Sequence, residues 1–159
     1  FARKVSEKSA EPWLAYRHLK FLDEKVMDLI EGRSKNKRLM VLMPPRHGKS
    51  LYVSVNLPAW YLCRFPERRI ILTSYEAEFA RSWGRKTRNL VEDNKAILPI
   101  QIARTSAAAD RWDLVGHAGG MVTAGAGGPI TGRGAHLAII DDPVKNAELA
   151  NSQAHRDAL

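Results

Sequence analysis

At 159 residues, 45% of them hydrophobic, the chain has material for one buried core, and its length favours a single domain. A formal charge of +8 favours a polyanionic partner, because clustered Lys and Arg release counterions from phosphate backbones. A single cysteine, Cys63, excludes an internal disulfide, and no apolar run reaches the roughly 18 residues of a membrane span, so a soluble, intracellular protein without a signal peptide is expected. Residues 11–32, EPWLAYRHLKFLDEKVMDLIEG, carry Trp13, Leu14, Leu19, Leu22, Val26, Leu29 and Ile30 at three- and four-residue spacings. That spacing predicts an amphipathic helix, with Pro12 near its start and Gly32 at its stop.

After the basic turn RSKNKR, the run LMVLM (39–43) is short, apolar on both faces and closed by Pro44 and Pro45, which predicts a buried parallel strand. A helix is expected from Lys49 to about Arg64, kinked or interrupted at Pro58. RRIILTSY predicts a second buried strand, and EAEFARSWGRKTRNLVEDN a long helix with Ala77, Ala80, Trp83, Leu90 and Val91 near one face. Strand, helix, strand, helix is the order of an α/β parallel sheet. Beyond Pro99, eight of the 11 glycines fall between Gly116 and Gly134, among β-like pieces such as RWDLV and MVTA. A twisted hairpin and a mobile loop are expected there. HLAIIDD predicts a third buried strand ending in two carboxylates, and KNAELANSQAHRDAL a last, more polar helix.

The stretch RLMVLMPPRHGKS (38–50) has the order a phosphate-binding loop needs: a strand, a tight turn, a lysine for the β- and γ-phosphates and a hydroxyl for Mg²⁺. Gly48, Lys49 and Ser50 fill the last three places, and Pro45, Arg46 and His47 complete the loop that would hold ATP. Gly48 lets the backbone approach a phosphate, and the following helix turns its positive end toward the anion. Met43 stands where the usual pattern has glycine; Pro44 and Pro45 fix φ and preset the turn, but remove two N–H donors. Arg46 is placed to compensate with a guanidinium toward the γ-phosphate. The plainer alternative is a basic turn that binds nothing.

A nucleotide hydrolase also needs a carboxylate at a neighbouring strand end to hold Mg²⁺ through water, and a second to orient the attacking water. Asp141 and Asp142 follow the apolar Leu137–Ile140, and alternation in an extended segment sends them opposite ways. Asp141 is assigned to the metal and Asp142 to the water. Their plainer alternative is a turn or N-cap role for the sequence DDP.

PPRHGKS, then TSY, then GPITGRGAHLAIIDDPVKN resemble the ATPase domain of the large terminase subunit of tailed bacteriophages. The resemblance implies a P-loop NTPase fold of the ASCE/RecA-like kind, an α/β architecture with a mostly parallel central sheet flanked by helices. Residues 1–35 would be a leading helical segment and 36–159 the core, with the family's nuclease domain expected outside this chain. It further implies an Mg²⁺-dependent ATPase that drives double-stranded DNA into a procapsid, with ATP and Mg²⁺ as cofactors. Portal protein and small terminase subunit would be partners, in the host cytoplasm and transiently at the procapsid portal. A homo-oligomeric ring is implied on the procapsid, and a monomer is allowed in isolation. By the same resemblance, Trp13, Tyr16, Arg17 or His18 would line the adenine, and Thr73, Ser74 and Tyr75 would couple nucleotide state to DNA. Arg133 would be an arginine finger given to the neighbouring subunit, its alternative being a DNA or carboxylate contact. Loop positions in that family often lack the first glycine, which removes the objection at Met43.

Other constellations carry less. TAGAGGPITGRG lacks the third glycine of a dinucleotide fingerprint at residue 130 or 137, and the five histidines show no metal-ligand spacing. Arg81, Arg85, Lys86 and Arg88 form a basic helix face, for DNA phosphates or for solvent. The runner-up functions are a helicase-like DNA translocase unrelated to capsids and, further off, a P-loop small-molecule kinase.

Overall fold

The computed structural model describes residues 1–7, 12–128, 130, 132–145 and 151–153. The chain divides into two compact units, Phe1–Tyr52 and Val53–Leu159.

The first unit holds a short helix α1 (Ala2–Val5) and the amphipathic α2 (Arg17–Ile30). Leu19, Leu22 and Val26 are buried at the predicted three- and four-residue spacing. Helix α2 begins later than the periodicity implied: Tyr16 has an extended backbone, and its N–H closes a tight turn onto Leu14 O at 2.9 Å. Trp13 N–H donates to Ser6 Oγ at 2.7 Å, so Pro12–Tyr16 is anchored outside the helix. Gly32, with φ of 73°, ends the helix as expected, because a left-handed residue there costs glycine little.

The expected buried strand at LMVLM is not formed. Residues 39–43 take no strand pairing, and Met40 and Leu42 are 84% and 86% exposed. A strand requires a neighbouring ladder for its N–H and C=O groups, and among the described residues this unit contains no other strand. Hydrophobic patterning reports what a segment can bury, and pairing needs a partner as well.

The helix after the glycine–lysine–serine turn changes pitch along its length. Leu51–Asn56 is π-helical, and α3 (Leu57–Arg64) continues as an α-helix. Pro58 accounts for the change: it has no N–H for the Ser54 carbonyl four residues earlier, and its ring crowds that carbonyl, so the turn widens. The expected kink is therefore a change of helix type, without a break.

The second unit is built on a five-stranded sheet in the order β2-β3-β4-β1-β5, comprising β1 (Arg69–Ser74), β2 (Ile102–Ala107), β3 (Arg111–Leu114), β4 (Gly120–Gly125) and β5 (Leu137–Ile140). Central β1 pairs in parallel with β4 and with β5, whereas β2–β3 and β3–β4 are antiparallel. The expected mostly parallel sheet is thus mixed. The short connections 108–110 and 115–119 can only reverse the chain, and parallel pairing needs a long crossover.

That crossover is α4 (Ala77–Asp93), which leads out of β1 and packs on β4 and β1. Gly84 sets the closeness of the packing: a Cβ there would stand 2.4 Å from Ala109 O and 2.8 Å from Thr123 Cγ2. Trp112, fully buried in β3, donates its indole N–H to Gly84 O at 3.2 Å. Ile70, Leu72, Val91 and Met121 complete the core around it. As the outermost strand, β5 buries Ile139 and leaves Ala138 and Ile140 exposed, so the expected fully buried strand is half-buried. The expected last helix, 145–159, falls mostly outside the described residues.

Candidate nucleotide site

In the first unit, the loop before Lys49 combines two left-handed residues, Arg46 with φ of 62° and Gly48 with φ of 84°. Alternation of this kind curls successive backbone N–H groups toward one side, which is how anion-binding nests are made. Glycine adopts the conformation freely. Arginine does not, and backbone strain at a non-glycine residue is typical of ligand loops.

Two histidines brace the loop. His47 Nδ1–H donates to Pro45 O at 2.8 Å, and His18 Nε2–H, from α2, donates to His47 O at 3.1 Å. Leu19 underlies Gly48, with its Cδ1 3.4 Å from where a Cβ would be. The helix then starts with half-buried Lys49 and Ser50, and Tyr52 N–H closes onto Gly48 O at 2.9 Å.

Of the four residues expected near an adenine, Trp13 has its ring against that of Tyr52, with centroids 5.9 Å apart, and its Cη2 3.9 Å from where a Gly48 Cβ would be. Tyr16 and His18 are exposed and stacked with nearly parallel rings, 5.9 Å between centroids and 7° between planes, aromatic faces on which a base can stack; Arg17 is exposed beside them. Sequence reading missed the bond that ties this unit together: Tyr52 OH donates to Asp23 Oδ1 at 2.5 Å. Burial, then that bond and the Asp23 charge, push the Tyr52 hydroxyl well above the ordinary tyrosine range.

In the second unit, the acidic pair continues the β1–β5 ladder. Asp141 N–H donates to Thr73 O at 2.9 Å, and Tyr75 N–H to Asp142 O at 3.1 Å. Ser74 Oγ also reaches Asp142 O, at 3.4 Å. The segment expected to couple and the carboxylates expected to act are therefore joined by backbone hydrogen bonds at the carboxyl ends of parallel strands, where α/β sheets place ligands.

The two aspartates differ as alternation requires. Asp141 is 3% exposed and accepts from Ser54 Oγ at 3.0 Å; Asp142 is exposed, with φ of 47°. A buried carboxylate is a hard oxygen donor, the chemistry that suits Mg²⁺. Among the described residues no group of three or more His, Cys, Asp and Glu could hold a metal by itself.

Behind Asp141 stands a second group that sequence reading missed. Thr87 Oγ1, in α4, lies 3.0 Å from Ser54 O. That is the carbonyl deprived of its helical partner by Pro58. The proline was visible in the sequence and implied an orphan carbonyl; nothing in the sequence located Thr87 as its donor.

Arg133 is exposed and its N–H closes a turn onto Ile130 O at 3.1 Å, beside Gly132 with φ of 77°. The basic face of α4 is unequal. Arg81 pairs with Glu78 at 2.5 Å and Arg88 donates to Ala107 O at 2.6 Å, while Lys86 lies over the Trp83 ring at 4.2 Å and Arg85 is exposed. An aromatic ladder, Tyr75 to Phe79 at 5.1 Å and Phe79 to Trp83 at 5.6 Å, links the segment Thr73–Tyr75 to this face. Among the described residues, no helix is long and apolar enough to cross a membrane.

Residues 40–158, which contain the glycine–lysine–serine turn, the segment Thr73–Tyr75 and the acidic pair, match a family model of viral DNA-packaging proteins. The chain belongs to the family described as terminase large subunit, T4likevirus-type, N-terminal. Neither a curated protein nor a solved structure matches it significantly. The match begins after α2, so Tyr16 and His18 lie outside it.

Proposed function

We propose that this chain is the ATP-hydrolysing part of a P-loop motor that moves double-stranded DNA into a procapsid. The observation that carries the reading is the loop itself: left-handed backbone at Arg46 and Gly48 immediately before a helix opening with Lys49 and Ser50. Such a loop gathers backbone N–H groups and the positive end of a helix around a phosphate. Family membership supplies the packaging context.

Pro45, Arg46, His47, Gly48, Lys49 and Ser50 form the phosphate cradle, with Lys49 on the β- and γ-phosphates. Ser50 of the first unit and Asp141 of the second would each offer an oxygen to Mg²⁺, whose chemistry when bound would be to neutralise phosphate charge. Asp142 orients the attacking water and accepts its proton as the bond to the leaving phosphate breaks. Arg46 stabilises charge developing on the transferred phosphoryl, joined by Arg133 of a neighbouring subunit in a ring. Tyr16 and His18 stack on the adenine. Thr73, Ser74 and Tyr75 carry the change in nucleotide state toward DNA.

Portal protein and small terminase subunit are the remaining partners in this reading. In the full-length protein, Lys49→Ala is expected to abolish ATP turnover measured as phosphate release. Retained turnover would overturn the assignment.

A further inference from the structure

The Asp141 carboxylate is held from behind by groups that run from α4 to the end of β5. Pro58 withholds the N–H that would close on the Ser54 carbonyl, and Thr87 Oγ1 stands 3.0 Å from that oxygen. Ser54 Oγ in turn donates to Asp141 Oδ2 at 3.0 Å. Ser54 and Thr87 are both fully buried, so water does not compete for these bonds and their geometry is held firmly. A donor fixed on Oδ2 sets the rotation of the carboxylate, and with it the direction that its other oxygen presents.

Thr87 has a second choice. Its Oγ1 is also 3.0 Å from Trp83 O in its own helix, and a hydroxyl has one proton to give. With the two acceptors equally distant, a small displacement of α4 relative to Ser54 would favour one over the other. Helix α4 also carries the exposed Arg85 and follows directly on the segment Thr73–Tyr75.

Resting on the ATPase reading above, we propose that Ser54 and Thr87 are positioning residues that set the Asp141 carboxylate for its metal, with α4 as the element through which the setting changes. Pro58 is part of the device, because it creates the carbonyl that Thr87 serves. A merely structural role for the same residues would alter stability and leave metal dependence alone.

The test uses the full-length protein. Ser54→Ala is expected to raise the Mg²⁺ concentration for half-maximal ATP turnover about tenfold, the usual scale for losing a group behind a metal ligand. Mn²⁺ affinity in the presence of nucleotide, read by electron paramagnetic resonance, should fall by a similar factor, with nucleotide affinity in EDTA unchanged. Thr87→Val should shift metal dependence in the same direction, and Thr87→Ser, which keeps the hydroxyl, should restore it. Unchanged metal dependence in Ser54→Ala, or Thr87→Ser behaving like Thr87→Val, overturns the proposal. Where circular dichroism shows Ser54→Ala unfolded, the Thr87→Val and Thr87→Ser pair decides by the same criterion. Lys49→Ala run alongside separates the two claims: surviving turnover there removes the ATPase reading, whereas its loss with unchanged metal dependence in Ser54→Ala removes the positioning role alone.

Discussion

Tyr52 shows how one residue ties a loop to its support. Its ring meets Trp13 and its hydroxyl donates to Asp23 of α2, so the first turn after Gly48 is joined by an aromatic contact to the segment before α2 and by a charge-assisted bond to α2 itself. Tyr52→Phe keeps the ring and removes the bond, and is expected to lower stability by about 1–2 kcal/mol in urea unfolding. A loss indistinguishable from zero would show that the bond is matched by hydration of the free groups. At this scale the sequence was informative about chemistry and silent about partners. Gly48, Lys49, Ser50, Asp141 and Asp142 stand out in the sequence because phosphate and metal chemistry would ask for those residue types in that order. Ser54, Thr87, Asp23 and Tyr52 do not, because ordinary polar residues acquire a role only from a neighbour far along the chain.

Across elements, glycine in the middle of the sheet has a comparable effect. In register, Arg69 of β1 faces Gly120 of β4, and Gly120 faces Asp113 of β3. With no side chain between them, Arg69 reaches over β4 to Asp113 at 2.9 Å, and Ser106 of β2 donates to the same carboxylate at 2.6 Å. Four strands are thereby joined on one face. Burial works to raise the Asp113 pKa, but the Ser106 hydroxyl and the Arg69 guanidinium outweigh it and the net shift is downward.

A lowered folded pKa gives stability that is present above the unfolded value, about 3.9, and is lost as pH falls through the folded value. A Cβ at residue 120 would stand 2.4 Å from Trp112 O and 2.8 Å from Asp113 Oδ1. Gly120→Ala is therefore expected to cost about 1–3 kcal/mol at neutral pH. The difference from wild type should narrow below pH 4 as the displaced ion pair stops counting, as followed by unfolding midpoints at several pH values. Most elements were legible from periodicity: α2, the helix through Pro58, β1, α4 and β5 lie where patterning puts them. The strand at LMVLM and the parallel majority were not, since pairing and strand direction depend on partners and connection lengths that apolar runs do not record.

For the molecule as a whole, the formal charge of +8 is the property that bears most on a DNA partner. Several of the arginines are nevertheless held by internal partners. Arg33 bonds Asp28, Arg69 bonds Asp113, Arg81 bonds Glu78 and Arg88 bonds a carbonyl. Arg85 and Lys86 are exposed on one stretch of α4, and are the better candidates for phosphate contact.

If they make it, DNA affinity of the double variant Arg85→Gln, Lys86→Gln should lose slope in a plot of log affinity against log salt by roughly 0.9 per contact, or about 2 in all. An unchanged slope, measured by fluorescence anisotropy across 50–200 mM salt as an approximate working range, would place the DNA elsewhere. The net charge was legible as a count. Which cations are available to a polyanion was not, because the count does not reveal which are already paired.

The left-handed backbone at Arg46 has a consequence for any effort to improve this protein. Glycine would adopt that conformation without strain, so directed evolution scored on thermal tolerance would be rewarded for discarding the guanidinium. On the proposed ATPase reading, the charge of Arg46 and a relaxed backbone compete for one codon. An arginine kept in so uncomfortable a posture is what selection for turnover, as distinct from selection for endurance, would leave behind.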